Sequence, residues 1–234
     1  MKFINFSYFA FFIFYSMTSF ANQSFFKDIS YLLPDQKPRL SYGVAVTDFD
    51  NDGSDEFIVT GFGYENLALG FDGKSLKNKI KENIFSDFNR STIGVAACDI
   101  DKDGHEEIYF LNTDTYSGQK MYSDRLLNIE NENIVDLFEK DINQNELNLT
   151  AGRSVVCVDR EGKGNYGVYV ANYGGPTRFY EYIEDRVVDL AESLNLDEIT
   201  GGRAVVAGHI LTDQMDIFAA NERGPNFLYF NKNG

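Results

Sequence analysis

The amino-acid sequence predicts an all-β fold, a β-propeller of about four blades that stays open. Three observations lead there. A unit of about 50 residues, each copy reading as four short strands, recurs with anchors at Asp48, Asp99, Asp159 and Gly208. The chain holds 21 Phe, 14 Tyr and 20 Gly with no Trp, a composition that favours strands and tight turns. Its apolar runs are three to five residues long and bounded by polar, glycine-bearing loops, which suits strands better than helices.

The chain begins with a segment of another kind. Lys2 supplies a positive start, Phe3 to Met17 is almost wholly apolar, and Ser19-Phe20-Ala21 makes a small-x-small cleavage site. Residues 1–21 therefore read as a secretory signal peptide cut after Ala21. The mature chain, 22–234, is then expected outside the cell, or in the periplasm of a Gram-negative host, with no membrane span of its own. Thirty-six acidic against 21 basic residues give a net charge of −15. Such acidity argues against nucleic acid and anionic membranes as partners and favours cations or basic surfaces.

The units fall at roughly 40–90, 91–140, 150–192 and 200–234. Each opens on a small apolar strand, at 43–46, 94–97, 153–156 and 203–206. A loop follows, then a second strand at 57–60, 108–111, 168–171 and 217–220, and a third at 67–69, 125–127, 178–180 and 227–230. A fourth strand with a short helical tail shows at Ile134–Leu137 and Val187–Ala191. A similar pattern precedes the first unit, and Phe25 to Ser30 reads as a strand of the kind that locks a propeller ring. Tyr173–Pro176 and Glu222–Asn226 read as turns between second and third strands.

The loop after the first strand carries the chemistry. Asp48, Asp50 and Asp52 stand at loop positions 1, 3 and 5, Gly53 at position 6 supplies the left-handed turn, and Glu56 closes the set at position 9. The second unit repeats this with Asp99, Asp101, Asp103, Gly104 and Glu107. Convergent carboxylates suit a hard cation, Ca2+ above all. An EF-hand is excluded, because position 12 holds Val59 or Phe110 where it needs a bidentate Glu, and the flanks are strands. In the third unit Lys163 takes the central position, where it repels a cation and can fill the cage with its own ammonium. The fourth loop, Gly208 to Asp213, reads as having lost the cage.

Cys98 lies one residue before its loop and Cys157 two before Asp159, so the alternation of a strand points them to opposite faces of equivalent strands. They read as two buried free thiols, with a disulfide, which export permits, as the alternative. Asn22, Asn89 and Asn148 head glycosylation sequons. The chain has two histidines, His105 inside the second acidic loop and His209 in the fourth. No nucleophile elbow, zinc-protease or phosphate-loop motif is present, so a non-enzymatic role is expected, with a propeller-type hydrolase or lyase as the alternative.

The Asp-x-Asp-x-Asp-Gly loops resemble the FG-GAP/VCBS repeats of integrin α-subunit propellers. The segments GVAVTDFDNDG (43–53), AACDID (96–101), EEIYFLNT (106–113), VVCVDREG (155–162) and DIFAANERGPNFLYFN (216–231) resemble, more specifically, the cartilage acidic protein family. The likeness covers residues 26–234. It implies a calcium-stabilised adhesion propeller with an extracellular protein or glycan ligand and with more blades than are read here. It also implies that the carbonyls of Ser54 and His105 act as position 7 ligands.

Overall fold

Short alternating strands on either side of a tight acidic loop fold back on each other as antiparallel pairs, and a third and fourth strand extend each pair outward. The structure, a computed structural model, describes residues 25–34, 37–80, 83–130, 133–232 and 234. The signal-peptide reading at 1–21 lies outside them. The first sheet has the order β1 (Val44–Thr47), β2 (Glu56–Val59), β3 (Leu67–Phe71) and β4 (Leu76–Asn78). The second repeats it with β5 (Thr92–Cys98), β6 (Glu107–Asn112), β7 (Arg125–Glu130) and β8 (Asn133–Asp136).

The third unit supplies β9 (Gly152–Val158), β10 (Gly167–Pro176), β11 (Arg178–Ile183) and β12 (Arg186–Asp189). The fourth supplies β13 (Ile199–Gly208), β14 (Asp216–Asn221) and β15 (Phe227–Tyr229). These two share one seven-stranded sheet, because the far end of β10 pairs with β13. That pairing corrects one expectation. Tyr173–Pro176 is no turn: Tyr173, Gly175 and Pro176 continue the strand against Gly201, Thr200 and Ile199, with a bulge at Gly174, whose φ is 78°.

The first strands stand in a row, β1 beside β5, β5 beside β9 and β9 beside β13. None of the sheets closes on itself. The fold is an open, β-propeller-like stack of blades, and its cores lie between neighbouring blades. Strand β6 shows how: Ile108 and Phe110 pack toward Phe49, Ile58 and Phe85 of the first blade, while Tyr109 and Leu111 pack toward Val168, Val170 and Tyr180 of the third. With both faces covered, every residue of β6 is buried.

A buried polar cluster ties the second and third blades together. Asp124 accepts hydrogen bonds from the Tyr109 hydroxyl at 2.7 Å, the Asn112 amide at 2.7 Å and the Asn148 side chain at 2.6 Å, and it pairs with the Lys120 ammonium. Asn148 and Asn172 exchange a further pair of bonds. Asn148 at the head of its sequon is thus fully buried and committed to the core.

Cys98 and Cys157 form a disulfide, with Cα atoms 6.3 Å apart, so the reading of two free thiols is corrected. The side chains do leave opposite faces of equivalent strands. In a stack of blades, however, the face of one blade that meets the next is opposite to the face with which the next blade meets it. Opposite faces are therefore what an inter-blade bridge requires.

The described residues fall into two compact units, 25–31 and 32–234. Within the first unit, residues 25–29 form no strand, contrary to the locking-strand expectation for Phe25 to Ser30. The Asp28 carboxylate takes the Ser30 amide at 2.8 Å and leads into a single 3-10 turn, Ser30–Leu32, so that amide is not offered to a ladder. Among the described residues no helix is long and apolar enough to cross a membrane.

Candidate metal centre

Both acidic loops are braced by their first aspartate, which in each accepts from the position 6 glycine amide and from one amide just before it. The two oxygens of Asp48 accept from the amides of Asp52 and Gly53 at 3.0 and 2.9 Å. Those of Asp99 accept from Lys102 and Gly104 at 2.7 and 3.0 Å. Gly53 and Gly104 hold φ of 85° and 90°, a conformation that disfavours a side chain. Asp52 and Asp103 accept from the amides of Ser54 and His105 at 2.9 and 2.8 Å, which closes the turn.

One carboxylate oxygen from each of Asp48, Asp50 and Glu56 lies within 4.8 Å of the others, and Asp99, Asp101 and Glu107 form the matching group. Either cluster could hold a metal ion by this measure. Asp52 and Asp103 stand outside these groups, on the exposed rim.

The second loop has the character of a cation site. Glu107 is buried at the start of β6, and its Oε2 accepts from the Ile100 amide at 2.8 Å. Burial, and then the negative neighbours Asp101, Asp103 and Asp99, push the Glu107 acid up to about 8. Asp101 is raised as well, again chiefly by burial. Its Oδ2 meets the Asn128 side chain of β7 at 3.2 Å. Four carboxylates here repel one another, and a divalent cation supplies the charge that would reconcile them. The residues fit the ion.

The first loop differs. The Lys79 ammonium lies 2.7 Å from Asp52 Oδ2, 2.7 Å from Glu56 Oε1 and 3.3 Å from Asp50 Oδ2. The contact to Glu56 is an ion pair without hydrogen-bond geometry, and neither oxygen of this fully buried carboxylate accepts a hydrogen bond from the Phe49 amide. Burial raises the Glu56 acid despite the lysine.

The third loop keeps the brace alone. Asp159 accepts from the amides of Lys163 and Gly164 at 3.1 and 2.7 Å, and the Lys163 ammonium pairs with Glu161 at 2.8 Å. Position 9 is Gly167, and Arg160 instead pairs with Glu181 of β11. The fourth loop retains more than the sequence suggested. Asp216 sits at position 9, fully buried, and accepts from the amides of Leu211, Thr212 and Asn231 at 2.7, 3.0 and 2.9 Å. Its carboxylate is held by backbone donors and needs no cation.

Sequence reasoning missed Lys79, Gly70 and Asn128. The available signal was positional: Gly70, Asn128 and Glu181 each follow the last residue of the apolar third-strand triplet, Leu69, Leu127 or Tyr180. Those three pair with Phe57, Ile108 and Val168 in one common register. His105 and His209 both lie exposed in loops, and His209 Nδ1 meets the Asp213 carbonyl at 3.1 Å.

Residues 48–110, which span both acidic loops, match the model of the FG-GAP-like repeat. With the open stack of blades, this defines an FG-GAP repeat protein. It is related to cartilage acidic protein 1, being 41% identical over 219 residues to the proteins of that name from Xenopus tropicalis and Homo sapiens and 39% identical to that from Mus musculus. Each match takes in 83% of this chain, and the chain spans about a third of those relatives, 34%, 33% and 34% respectively.

Proposed function

We propose that the chain is a secreted, calcium-binding scaffold that presents its blades to an extracellular protein or glycan ligand, and that it is not an enzyme. The carrying observation is the convergence of Asp99, Asp101 and Glu107 in a strand-to-strand loop, where burial first and the neighbouring carboxylates second raise the Glu107 acid. In this reading Asp99, Asp101 and Glu107 would hold the ion between β5 and β6, with the His105 carbonyl as the position 7 ligand implied by the repeat pattern. Affinity of about 10⁻⁴–10⁻³ M suffices at extracellular calcium concentrations. The small-x-small site at 19–21, the disulfide and the name of the relatives support the extracellular setting. The non-enzymatic reading is supported by the histidines: among the described residues neither pairs with a nucleophile.

A calcium titration by calorimetry tests this. Binding with a rise in melting temperature is expected, and Asp101→Asn with Glu107→Gln should abolish the second loop's share of both. Unchanged heats in that double variant would refute the assignment.

A further inference from the structure

We propose that the chain's own Lys79 closes the first acidic loop in place of a divalent cation, so that the chain binds one calcium ion rather than two. This rests on the calcium reading of the second loop and confines it there.

The lysine is anchored and aimed. Its amide donates to the Ala68 carbonyl at 2.8 Å, continuing the β3–β4 ladder, and its side chain runs back under the loop. Three carboxylates surround this ammonium, which donates to Asp52 at 2.7 Å and Asp50 at 3.3 Å and forms an ion pair with Glu56 at 2.7 Å. Asp50 and Glu56 are two of the three groups that would hold an ion, and the third, Asp48, already accepts two backbone amides. The lysine side chain is largely covered, with 24% exposure.

Glycine at residue 70 leaves the space that the lysine side chain fills in this position. A Cβ there would lie 2.3 Å from Lys79 Cε and 2.8 Å from Glu56 Oε1. Gly70 has no left-handed φ, so the requirement is steric and not conformational. The second loop is built oppositely. Asn128 occupies the register of Gly70 and bonds Asp101, and the residue in the place of Lys79 is Leu137, fully buried in the core between blades two and three.

The third blade shows the same substitution by other residues, since Lys163 pairs with Glu161 and Arg160 with Glu181. Of the three loops that keep the aspartate brace, then, two carry a cationic side chain against their acids. Among the described residues the acids of the second have no such partner. The first loop becomes a staple that works without calcium.

Native mass spectrometry with calcium titration counts the ions on the full chain. The wild type should take one. Lys79→Met, and separately Gly70→Asn, which drives the lysine out, should each take two. Adding Asp101→Asn and Glu107→Gln to Lys79→Met should return the count to one. Two ions on the wild type would leave the calcium reading standing and overturn the lysine closure, as would a single ion on both Lys79→Met and Gly70→Asn. No ion on any of them would overturn both. A second readout needs no variant: Lys79 should resist amine acylation equally with and without saturating calcium, and exposure of Lys79 on adding calcium would refute the proposal.

Discussion

Glu107 illustrates how one residue couples the loop to pH. Its acid, lifted to about 8 by burial and then by Asp101, Asp103 and Asp99, holds a proton in the ion-free protein at neutral pH. The unfolded chain would release that proton in the ordinary carboxylate range. The folded state therefore binds it more tightly, and the ion-free fold loses stability as pH rises from about 4.5 toward 8. A cation needs the carboxylate, so in the proposed reading calcium binding would expel the proton and its affinity would rise over the same interval, by at most about tenfold per pH unit. Calorimetry between pH 6 and 8 should show that rise together with proton release in buffers of different ionisation heat. An affinity flat across that range would contradict the assignment. Position 9 was legible in the sequence because it is local to the loop. Lys79 was not, since it stands 27 residues from Asp52 and reaches it only through strand register.

At the scale of elements, the repeated loop is a brace before it is a metal cage. Asp159 makes the same two amide bonds as Asp48, and shares the position 6 glycine bond with Asp99, although its neighbours no longer suit an ion. The turn thus survives loss of the ligands, which is why the repeat stays recognisable where its acids decay. The disulfide acts between such elements, joining the end of β5 to β9 across 59 residues of chain. A crosslink over that separation restricts the unfolded chain by about 4 kcal/mol in the chain-entropy account. The double variant Cys98→Ser, Cys157→Ser should lower stability by roughly 2–4 kcal/mol in urea unfolding. An unchanged midpoint would show that the inter-blade core alone sets the register. The sequence placed the two cysteines on opposite faces correctly; what it lacked was the stacking of blades, which makes opposite faces meet.

For the whole molecule the decisive feature is that each core belongs to two blades. Interior strands such as β6 and β10 are buried on both faces, whereas the first blade leaves Val44 63%, Val46 52% and Phe57 45% exposed on its outer side. The fourth blade likewise leaves Val206 and Phe218 exposed. Substitutions of similar size should then differ sharply by position. Phe110→Ala, in the core between blades one and two, should cost about 3–5 kcal/mol. Val44→Thr, on the outer face, should stay within about 0.5 kcal/mol. Equal losses in thermal unfolding would mean that the outer face is covered in solution.

The sequence by itself determined what is local. Alternation defined the strands, glycine and aspartate defined the loops, and their recurrence defined the blades and the acidic clusters. Tertiary structure decided what depends on stacking and register: the Cys98–Cys157 bridge, the Asp124 cluster, the Tyr173–Pro176 pairing with β13 and the Lys79 ammonium in the first cage. The physical reason is that a blade's own pattern says which residues share a face. It does not say which residues of a neighbour, or of a strand further along the same sheet, that face will meet.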